Sequence, residues 1–229
     1  MENSNKNIQR KIITEDGSIS VFSELFSETY HSSEGAVQES EYLFIDNGLA
    51  QRIDKKEITI LEYGFGTGLN AALSYRFIRN TRATVKYYSI EKYPIAKNLY
   101  EELSYSKFGI EDKTLQELHS AKWGEDATIS DSSFILHKIE GDFLDFHLYK
   151  NIKADVVYWD AFSSGSQPEL WTDKMFAHIS SILNEDGIFV TYSAIGTMKK
   201  ALRNAGLTVH RIKGAGNKRH SVVAVKTTP

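Results

Sequence analysis

The chain has 229 residues, of which 41% are hydrophobic and 25% are charged, which is ordinary usage for a single globular domain. It has no cysteine, which excludes disulfides, thiol nucleophiles and cysteine-ligated metal or iron–sulfur sites. No apolar run approaches the roughly 20 residues that a membrane-spanning helix needs, and the N-terminus is polar. We therefore expect a cytoplasmic protein with no membrane partner.

The net charge of −3 is unevenly distributed along the chain. The first 186 residues carry 19 basic and 30 acidic side chains, whereas residues 187–229 carry eight Lys or Arg and no Asp or Glu. A basic segment on an acidic body is one signature of a protein that binds a polyanion such as a nucleic acid. The alternative is a small basic surface that only balances an acidic one.

Strand-like and helix-like segments alternate along most of the chain. Three short β-like segments come first, at Ser18–Phe22, Glu41–Ile45 and Leu49–Arg52. The predicted core strands are Ile58–Tyr63, Val85–Ile90, Phe134–Ile139, Asp155–Trp159, Ile188–Tyr192, Leu207–Ile212 and Ser221–Val225. The predicted helices are Leu69–Arg79, Ile95–Leu103, Pro168–Leu183 and Gly196–Asn204, with a turn at Asn184–Gly187. Residues 105–132 are polar and mixed, which indicates an insertion.

This order predicts an α/β fold with a mostly parallel, seven-stranded sheet and crossover helices. The link Lys213–His220 is too short for a crossover, so the last two strands should form an antiparallel hairpin. We divide the chain into an N-terminal β extension, residues 1–56, and one α/β domain, residues 57–229.

Four successive core strands end in a glycine turn or an acid: Gly64–Gly68, Glu91, Asp142 and Asp160. Ligands of open α/β sheets bind beyond the carboxyl ends of the strands, so these four features predict one site. The glycine loop has the spacing G-x-G-x-G, which differs from the dinucleotide and P-loop patterns. The histidines form no close metal-binding pair, and no G-x-S-x-G elbow is present, so we expect neither a metal nor a serine nucleophile.

Each acid allows more than one interpretation. Glu91 could accept two hydrogen bonds from a ribose diol, whether of NAD or of S-adenosylmethionine. Asp142 could accept from an adenine amino group or could be only a turn residue. Asp160 should emerge where the transferred group lies. Trp171, at a helix start, is interpreted as a core aromatic in preference to a substrate contact.

Several segments resemble the methyltransferase part of the tRNA 5-methylaminomethyl-2-thiouridine biosynthesis proteins, the MnmC-type family. The matching segments are EYLFIDNGL (41–49), LEYGFGTGLN (61–70), SIEK (89–92), GD (141–142), DAF (160–162), PELWT (168–172) and GNKRHSVVA (216–224). The similarity runs from about residue 20 to residue 226. The chain departs from the family at Ser163–Ser166, where the family has a proline soon after DAF, and this departure leaves the shape of the substrate loop open.

The resemblance implies a Rossmann-like, class I S-adenosylmethionine-dependent methyltransferase without metal or FAD. The implied acceptor is the amine of a 5-aminomethyl-(2-thio)uridine at the wobble position of tRNA, which upstream wobble-uridine modifying enzymes would supply. A stand-alone methyltransferase is expected, because no second dinucleotide fingerprint for the family's FAD oxidase domain is present. Alternatives are methylation of another RNA or a small amine, an NAD-dependent or nucleotide-sugar enzyme, and a non-catalytic RNA-binding module.

The same resemblance implies roles for individual residues. The implied cofactor contacts are Glu62, Gly64, Gly66, Gly68, Glu91, Asp142 and Asp160. Asp160 is also the implied catalytic residue that orients the amine, with a contact to the methionine amino group as its alternative role. Phe162 or Tyr63 would wall the adenine or the target base. The implied tRNA contacts are Lys199, Arg203, Lys218 and Arg219, together with Lys200, Arg211 and Lys213.

Overall fold

The computed structural model describes residues 8–15, 17–31, 35–130, 133–215 and 219–227. Its strands are β1 Gln9–Ile13, β2 Ile19–Ser23, β3 Glu28–Thr29, β4 Glu57–Tyr63, β5 Thr84–Glu91, β6 Asp126–Thr128, β7 Phe134–Glu140, β8 Ala154–Trp159, β9 Leu183–Thr191, β10 Leu207–Lys213 and β11 His220–Lys226. Its α-helices are α1 Ala36–Ser40, α2 Leu69–Ile78, α3 Lys97–Tyr100, α4 Asp112–Ser120, α5 Asp173–Ile182 and α6 Gly196–Asn204. No helix in these ranges is long and apolar enough to cross a membrane.

One sheet of eight strands forms the centre of the fold, in the order β10-β11-β9-β8-β4-β5-β7-β6. The pairs β4–β5, β4–β8, β5–β7 and β8–β9 are parallel. Strand β11 runs antiparallel to both β9 and β10. The predicted α/β fold, its mostly parallel sheet and its C-terminal hairpin are confirmed. The eighth strand, β6, is a three-residue edge strand from the predicted insertion, and it pairs antiparallel with β7.

The central strands are buried on both faces of the sheet. All six residues of β8 are buried, as expected of a parallel strand covered by helices on both sides. Side chains along β4 alternate between two apolar clusters. Ile58 and Ile60 belong to the cluster that contains residues of α2, and Leu61 and Tyr63 belong to the cluster that contains residues of α5 and α6.

Two segments that were predicted as strands are helical. Glu41–Ile45 lies in a π-helix over Glu41–Asp46, and Leu49–Arg52 is a 3-10 helix. The consecutive residues 43–45 are all buried, which a strand with one solvated face cannot achieve. A helical turn buries them beside α2 instead, so tertiary packing decides the conformation.

Two other predicted boundaries also differ from the structure. The helix predicted over Ile95–Leu103 contracts to the four residues of α3. The predicted turn Asn184–Gly187 lies inside β9, at a register irregularity against β8, and Asp186 has a φ of 60° there. A left-handed residue within a strand is typical of a bulge, which explains the turn-like sequence.

The N-terminal segment begins with a separate antiparallel sheet, in the order β1-β2-β3. Val21 of β2 is fully buried in the cluster that contains α2, and Tyr105 donates a hydrogen bond to the carbonyl of Ile19 at 2.9 Å. This small sheet is therefore packed onto the rest of the chain. The division of the chain at residue 56 stays a prediction.

We predict that Asp155→Asn lowers the free energy of unfolding by about 1.5–3 kcal/mol, the usual cost of losing hydrogen bonds to a charged group. Asp155 accepts hydrogen bonds from Lys55 Nζ (2.6 Å), Thr59 N (2.8 Å) and Asn184 Nδ2 (2.9 Å), and so joins β8 to β4 and β9. Urea denaturation at neutral pH measures the loss. Asp54→Asn, at an exposed position, is the control and should change stability by less than about 0.5 kcal/mol.

Candidate active site

The ends of the parallel strands lie side by side at one edge of the sheet. Tyr63, the last residue of β4, is opposite both Ile90 and Trp159, and Glu91 is opposite Glu140. A cavity of about 400 Å³ opens at this edge. Of the predicted site residues, the cavity lining includes Gly64, Gly66, Glu91, Asp142, Asp160 and Phe162.

The glycine loop that follows β4 adopts a left-handed conformation at all three of its glycines. The φ angles of Gly64, Gly66 and Gly68 are 98°, 49° and 71°, which favours glycine at each position. A Cβ atom on Gly66 would lie 2.7 Å from Cδ1 of the Tyr30 ring. The absence of a side chain at Gly66 therefore lets the Tyr30 ring pack directly against the loop, and Gly64, Gly66 and Tyr30 all line the cavity.

Two histidines hold the glycine loop through Thr67, one on the hydroxyl and one on the carbonyl. His31 Nε2 lies 2.7 Å from the Thr67 hydroxyl, and His119 Nε2 lies 3.0 Å from the Thr67 carbonyl oxygen. Because a carbonyl only accepts, His119 must carry its proton on Nε2. Burial lowers the pKa of His119 to about 4, so the ring is neutral at physiological pH.

The buried side chain of Lys138 holds His119 in place through a hydrogen bond. Lys138, in the middle of β7, donates to the His119 carbonyl at 2.7 Å and lies over the Trp123 and Phe65 rings, at 4.6 Å and 5.2 Å from their centroids. Burial lowers the pKa of Lys138 to about 8. Sequence patterns did not predict this support, and its signal was a single lysine in the middle of the strand Phe134–Glu140.

Glu91 is a buried carboxylate at the cavity wall. Oε2 accepts from the main-chain N–H of Gly66 at 3.1 Å, and Oε1 accepts from that of Tyr93 at 2.7 Å. Burial raises the pKa of Glu91, and these main-chain bonds oppose the rise. Each carboxylate oxygen can accept about two hydrogen bonds, so the group retains capacity for a diol.

Asp142 lies at the same cavity in an ion pair with Lys92. Lys92 Nζ is 2.6 Å from Oδ2, and the N–H of Leu144 donates to Oδ1 at 2.9 Å. Partial burial by itself raises the pKa of Asp142, but the hydrogen bonds from Lys92 and Leu144 outweigh it, so the pKa is lowered. Asp142 is therefore an ionised acceptor, and its contact with adenine stays a prediction.

Asp160 follows β8 directly and reaches the cavity beside Asn70. The Asn70 amide donates to Asp160 Oδ2 at 2.8 Å, which orients the carboxylate. Tyr192 donates to the carbonyl of the next residue, Ala161, at 2.9 Å. Among the described residues, the carboxylates that line the cavity are Glu28, Glu39, Glu91, Asp142, Asp160 and Glu169, against one lysine, Lys92.

Glu62 and Gly68, which the sequence predicts as cofactor contacts, do not line the cavity, and their contact with a cofactor stays a prediction. Glu62 is completely buried, and its Oε2 accepts from the Ser89 hydroxyl at 2.6 Å. Gly68 faces His119 and the Phe65 ring. Glu62 is therefore buried between β4 and β5 and is not part of the cavity wall.

Two aromatic predictions are answered by burial. Tyr63 is fully buried within the apolar core and does not line the cavity. Trp171 is also buried, and its indole N–H donates to the carbonyl of Phe162 at 3.0 Å. The interpretation of Trp171 as a core aromatic is confirmed. Phe162 lines the cavity, and its contact with adenine or a target base stays a prediction.

The end of β10 and the start of β11 lie at the same edge of the sheet as the cavity. Val222, near the start of β11, is opposite Thr191, the last residue of β9. Lys213 and Arg219, which flank the turn, are exposed. Their contact with RNA stays a prediction, and Lys218 lies outside the described residues.

Lys199 and Arg203, two predicted RNA contacts, lie in different halves of α6. Lys199 is in the first half of α6, which starts near the cavity edge, and it is partly buried. Arg203 is in the last turn. The following Ala205 carbonyl accepts from Ser180 near the end of α5, at 2.7 Å. Arg203 therefore lies towards the opposite edge of the sheet, and the structure does not bring it together with the cavity.

Comparison with known proteins shows that the chain is similar to S-adenosyl-L-methionine-dependent methyltransferases. A family model described as S-adenosyl-L-methionine-dependent methyltransferase matches residues 110–227. The crystal structure of MNMC2 from Aquifex aeolicus matches with a TM-score of 0.82 and 28% identity, covering 99% of this chain and 73% of that chain. The sequence-based resemblance to the MnmC-type methyltransferase part is confirmed.

Curated relatives give the same result over most of the chain. The tRNA 5-methylaminomethyl-2-thiouridine biosynthesis bifunctional protein MnmC of a Marinomonas species is 28% identical over 217 residues, which is 86% of this chain and 31% of that protein. The protein of that name from Legionella pneumophila is 30% identical over 230 residues, which is 87% of this chain and 34% of that protein. The chain thus spans about a third of the length of these relatives.

We predict that the buried carboxyl of Glu62 makes stability fall as pH rises. Burial raises the pKa of Glu62 to about 8 from 4.5. The folded protein therefore keeps a proton between pH 4.5 and 8 that the unfolded chain has lost, and stability declines across this window. The shift corresponds to a loss on the order of 3–5 kcal/mol in the free energy of unfolding.

Denaturation of wild-type protein and Glu62→Gln at pH 5 and pH 8.5 measures this effect. Glutamine has nearly the same shape and does not titrate, so the variant should lose much less stability between the two pH values. Equal losses in both proteins would show that Glu62 is not the titrating group.

Proposed function

We propose that this chain, which belongs to the family of S-adenosyl-L-methionine-dependent methyltransferases, methylates the amine of 5-aminomethyl-(2-thio)uridine at the wobble position of tRNA. The convergence of the glycine loop, Glu91, Asp142 and Asp160 on one cavity carries the proposal. The choice of acceptor rests on relatives that are named for tRNA 5-methylaminomethyl-2-thiouridine biosynthesis. Upstream wobble-uridine modifying enzymes would supply the aminomethyl group.

The residues around the cavity fit S-adenosylmethionine. A volume of about 400 Å³ is within the usual range for cofactor sites. Glu91 would hold the ribose diol, Asp142 would accept from the adenine amino group, and the main chain of Gly64–Gly66 would lie against the methionine part. The acidic lining also suits a ligand that carries a cationic sulfonium.

The chemistry proposed for the site is an in-line methyl transfer. Bound S-adenosylmethionine supplies an electrophilic methyl group on its sulfonium sulfur. The acceptor nitrogen must approach that carbon to about 3–3.5 Å with its lone pair free. It forms a C–N bond as the C–S bond breaks, and the product nitrogen then releases a proton.

Asp160 is the proposed catalytic residue of this transfer. Its carboxylate, fixed by Asn70, would accept a hydrogen bond from the acceptor amine and so aim the lone pair. A carboxylate also stabilises the ammonium form, so its charge alone would not activate the amine. Its contribution is therefore orientation and acceptance of the departing proton. A contact to the methionine amino group is the alternative role.

We predict that Asp160→Ala reduces methyl transfer by at least about 100-fold, as expected for a group that positions and deprotonates the acceptor. The assay uses labelled S-adenosylmethionine and tRNA from a strain that lacks this gene, with the label identified as a 5-methylaminomethyl nucleoside. Calorimetric binding of S-adenosylhomocysteine and binding of tRNA should persist in the variant. Loss of S-adenosylhomocysteine binding would favour the alternative, methionine-side role, and undiminished transfer would contradict both roles.

The hairpin turn is the proposed contact surface for tRNA. Lys213 and Arg219 are exposed at the same edge of the sheet as the cavity, so they can neutralise backbone phosphates while a splayed base enters the site. The acidic lining of the cavity would repel the phosphates of the RNA. The exposed basic residues at the same edge of the sheet would therefore supply the attraction.

We predict that Lys213→Ala combined with Arg219→Ala weakens tRNA binding and reduces the salt slope of the logarithmic affinity by about 1 for each phosphate that the variant no longer neutralises. Fluorescence titrations at several salt concentrations measure this slope. Arg203→Ala is the matched control, because Arg203 lies towards the opposite edge, and its effect should be smaller. An equal effect of Arg203→Ala would place the RNA elsewhere.

A small amine is the second candidate acceptor. The acidic lining of the cavity would favour any cationic amine, including a polyamine. The basic turn at the same edge favours RNA, because it would repel such a cation. Parallel assays with tRNA and with spermidine distinguish the two, since only the true acceptor should take up label.

A further inference from the structure

The loop that follows Asp160 is attached to the N-terminal sheet by one carboxylate, that of Glu28. Oε2 of Glu28 accepts from the N–H of Ser163 at 3.1 Å. Its Oε1 accepts from the hydroxyls of both Ser163 and Ser166, the latter at 2.8 Å. The Ser166 hydroxyl also lies 3.1 Å from the carbonyl of Phe26. Three donors from the loop thus meet one acidic side chain across 135 residues of sequence.

Glu28 is placed by a turn that also reaches the cavity. The turn between β2 and β3 includes Ser27, whose φ of 53° lies in the left-handed region that non-glycine residues rarely adopt. Phe26 of this turn stacks on Phe162, with ring centroids 4.5 Å apart and planes inclined by 30°. Phe26, Glu28, Phe162 and Ser163 all line the cavity. The small sheet therefore forms one wall of it.

The two residues that precede the attached loop are held by hydrogen bonds from the core. The Ala161 carbonyl accepts from Tyr192, and the Phe162 carbonyl accepts from Trp171. Within the loop, the N–H groups of Ser166 and Gln167 both donate to the Ser163 carbonyl, which closes a tight turn. Glu28 connects this turn to β3.

We propose that Glu28 is a positioning residue for the acceptor side of the cavity. It fixes Ser163–Ser166 and, with them, the Phe162 ring that faces the acceptor beside Asp160. The inference rests on the proposed function, because it assigns the acceptor side on the assumption that Asp160 meets the amine.

The composition of the loop explains the need for such a contact. Ser163–Ser166 contains three serines, one glycine and no proline, so its backbone would be free to move without outside contacts. Hydrogen bonds to an ionised carboxylate are about twice as strong as those between neutral groups. The Glu28 carboxylate of β3 therefore restrains a loop whose own sequence leaves its backbone flexible.

The test compares Glu28→Gln, Ser166→Ala and the double variant with wild type. Glutamine keeps the size of the side chain but turns one acceptor atom into a donor, so at least one loop bond is broken. Glu24→Gln, at an exposed position four residues earlier, is the matched control. Ser166→Ala removes one loop hydroxyl and leaves Glu28 in place, so it keeps the test valid if Glu28→Gln folds poorly.

Three measurements separate positioning from general stability. Hydrogen–deuterium exchange in peptides covering 161–170 should increase in Glu28→Gln, while the affinity for S-adenosylhomocysteine stays within about twofold. The KM for tRNA should rise about tenfold, as expected when hydrogen bonds to a charged group are removed, with a smaller change in kcat. The effects of Glu28→Gln and Ser166→Ala should be less than additive, since they break a shared contact.

Other outcomes would overturn the proposal. Unchanged exchange and unchanged KM in Glu28→Gln would show that the contact does not position the loop. A clear fall in the melting temperature of Glu28→Gln, together with a loss of S-adenosylhomocysteine affinity, would show that Glu28 has a general structural role. A collapse of kcat with an ordered loop would make it a direct substrate contact. If wild type fails to methylate tRNA but exchange still rises in the variant, the proposed function fails and the loop contact stands.

Discussion

The parallel pairing of β4 with β5 and β8 places the ends of these strands level with one another, and the rest of the site depends on that alignment. Tyr63 is opposite both Ile90 and Trp159, so the glycine loop, Glu91 and Asp160 all start from one edge of the sheet. Each of the three strands is followed directly by one part of the site, so no long flexible segment is needed to position the glycine loop, Glu91 or Asp160. A register slip of one residue would move the side chains of the shifted strand to the other face of the sheet, and the site would no longer form.

A second requirement is that the glycine loop keeps a conformation with three left-handed residues. Such a loop is held by its surroundings, because the isolated chain would not retain it. His31 and His119 meet Thr67 at its hydroxyl and its carbonyl, and Lys138 supports His119 from beneath. These three residues come from the N-terminal segment, the insertion and β7. The insertion is therefore part of the support of the site, not an appendage.

Acidic and basic side chains occupy different parts of the same edge of the sheet. The lining is acidic, which suits the cationic centres of a sulfonium and an amine, and the hairpin turn at the same edge is basic. The charge imbalance seen in the sequence corresponds in the fold to exposed basic residues, Lys213 and Arg219, at the edge of the sheet where the cavity opens.

The local pattern of the chain was enough to predict the sheet, its hairpin and the residues at the strand ends. Strand periodicity and short links are local properties, and Gly64, Gly66, Glu91, Asp142 and Asp160 stand at strand ends in any parallel arrangement. Resemblance to known proteins added the identity of the cofactor.

Only the tertiary structure decided which neighbours these residues have. Residues 41–45 become helical because their apolar side chains pack beside α2, and Glu62 is buried against Ser89 of β5 and does not line the cavity. Arg203 is carried away from the cavity by the direction of α6, and Glu28 meets a loop 135 residues later. The physical reason is that propensity acts within a few residues, whereas burial, alternation between sheet faces and contacts across the sequence are properties of the whole fold.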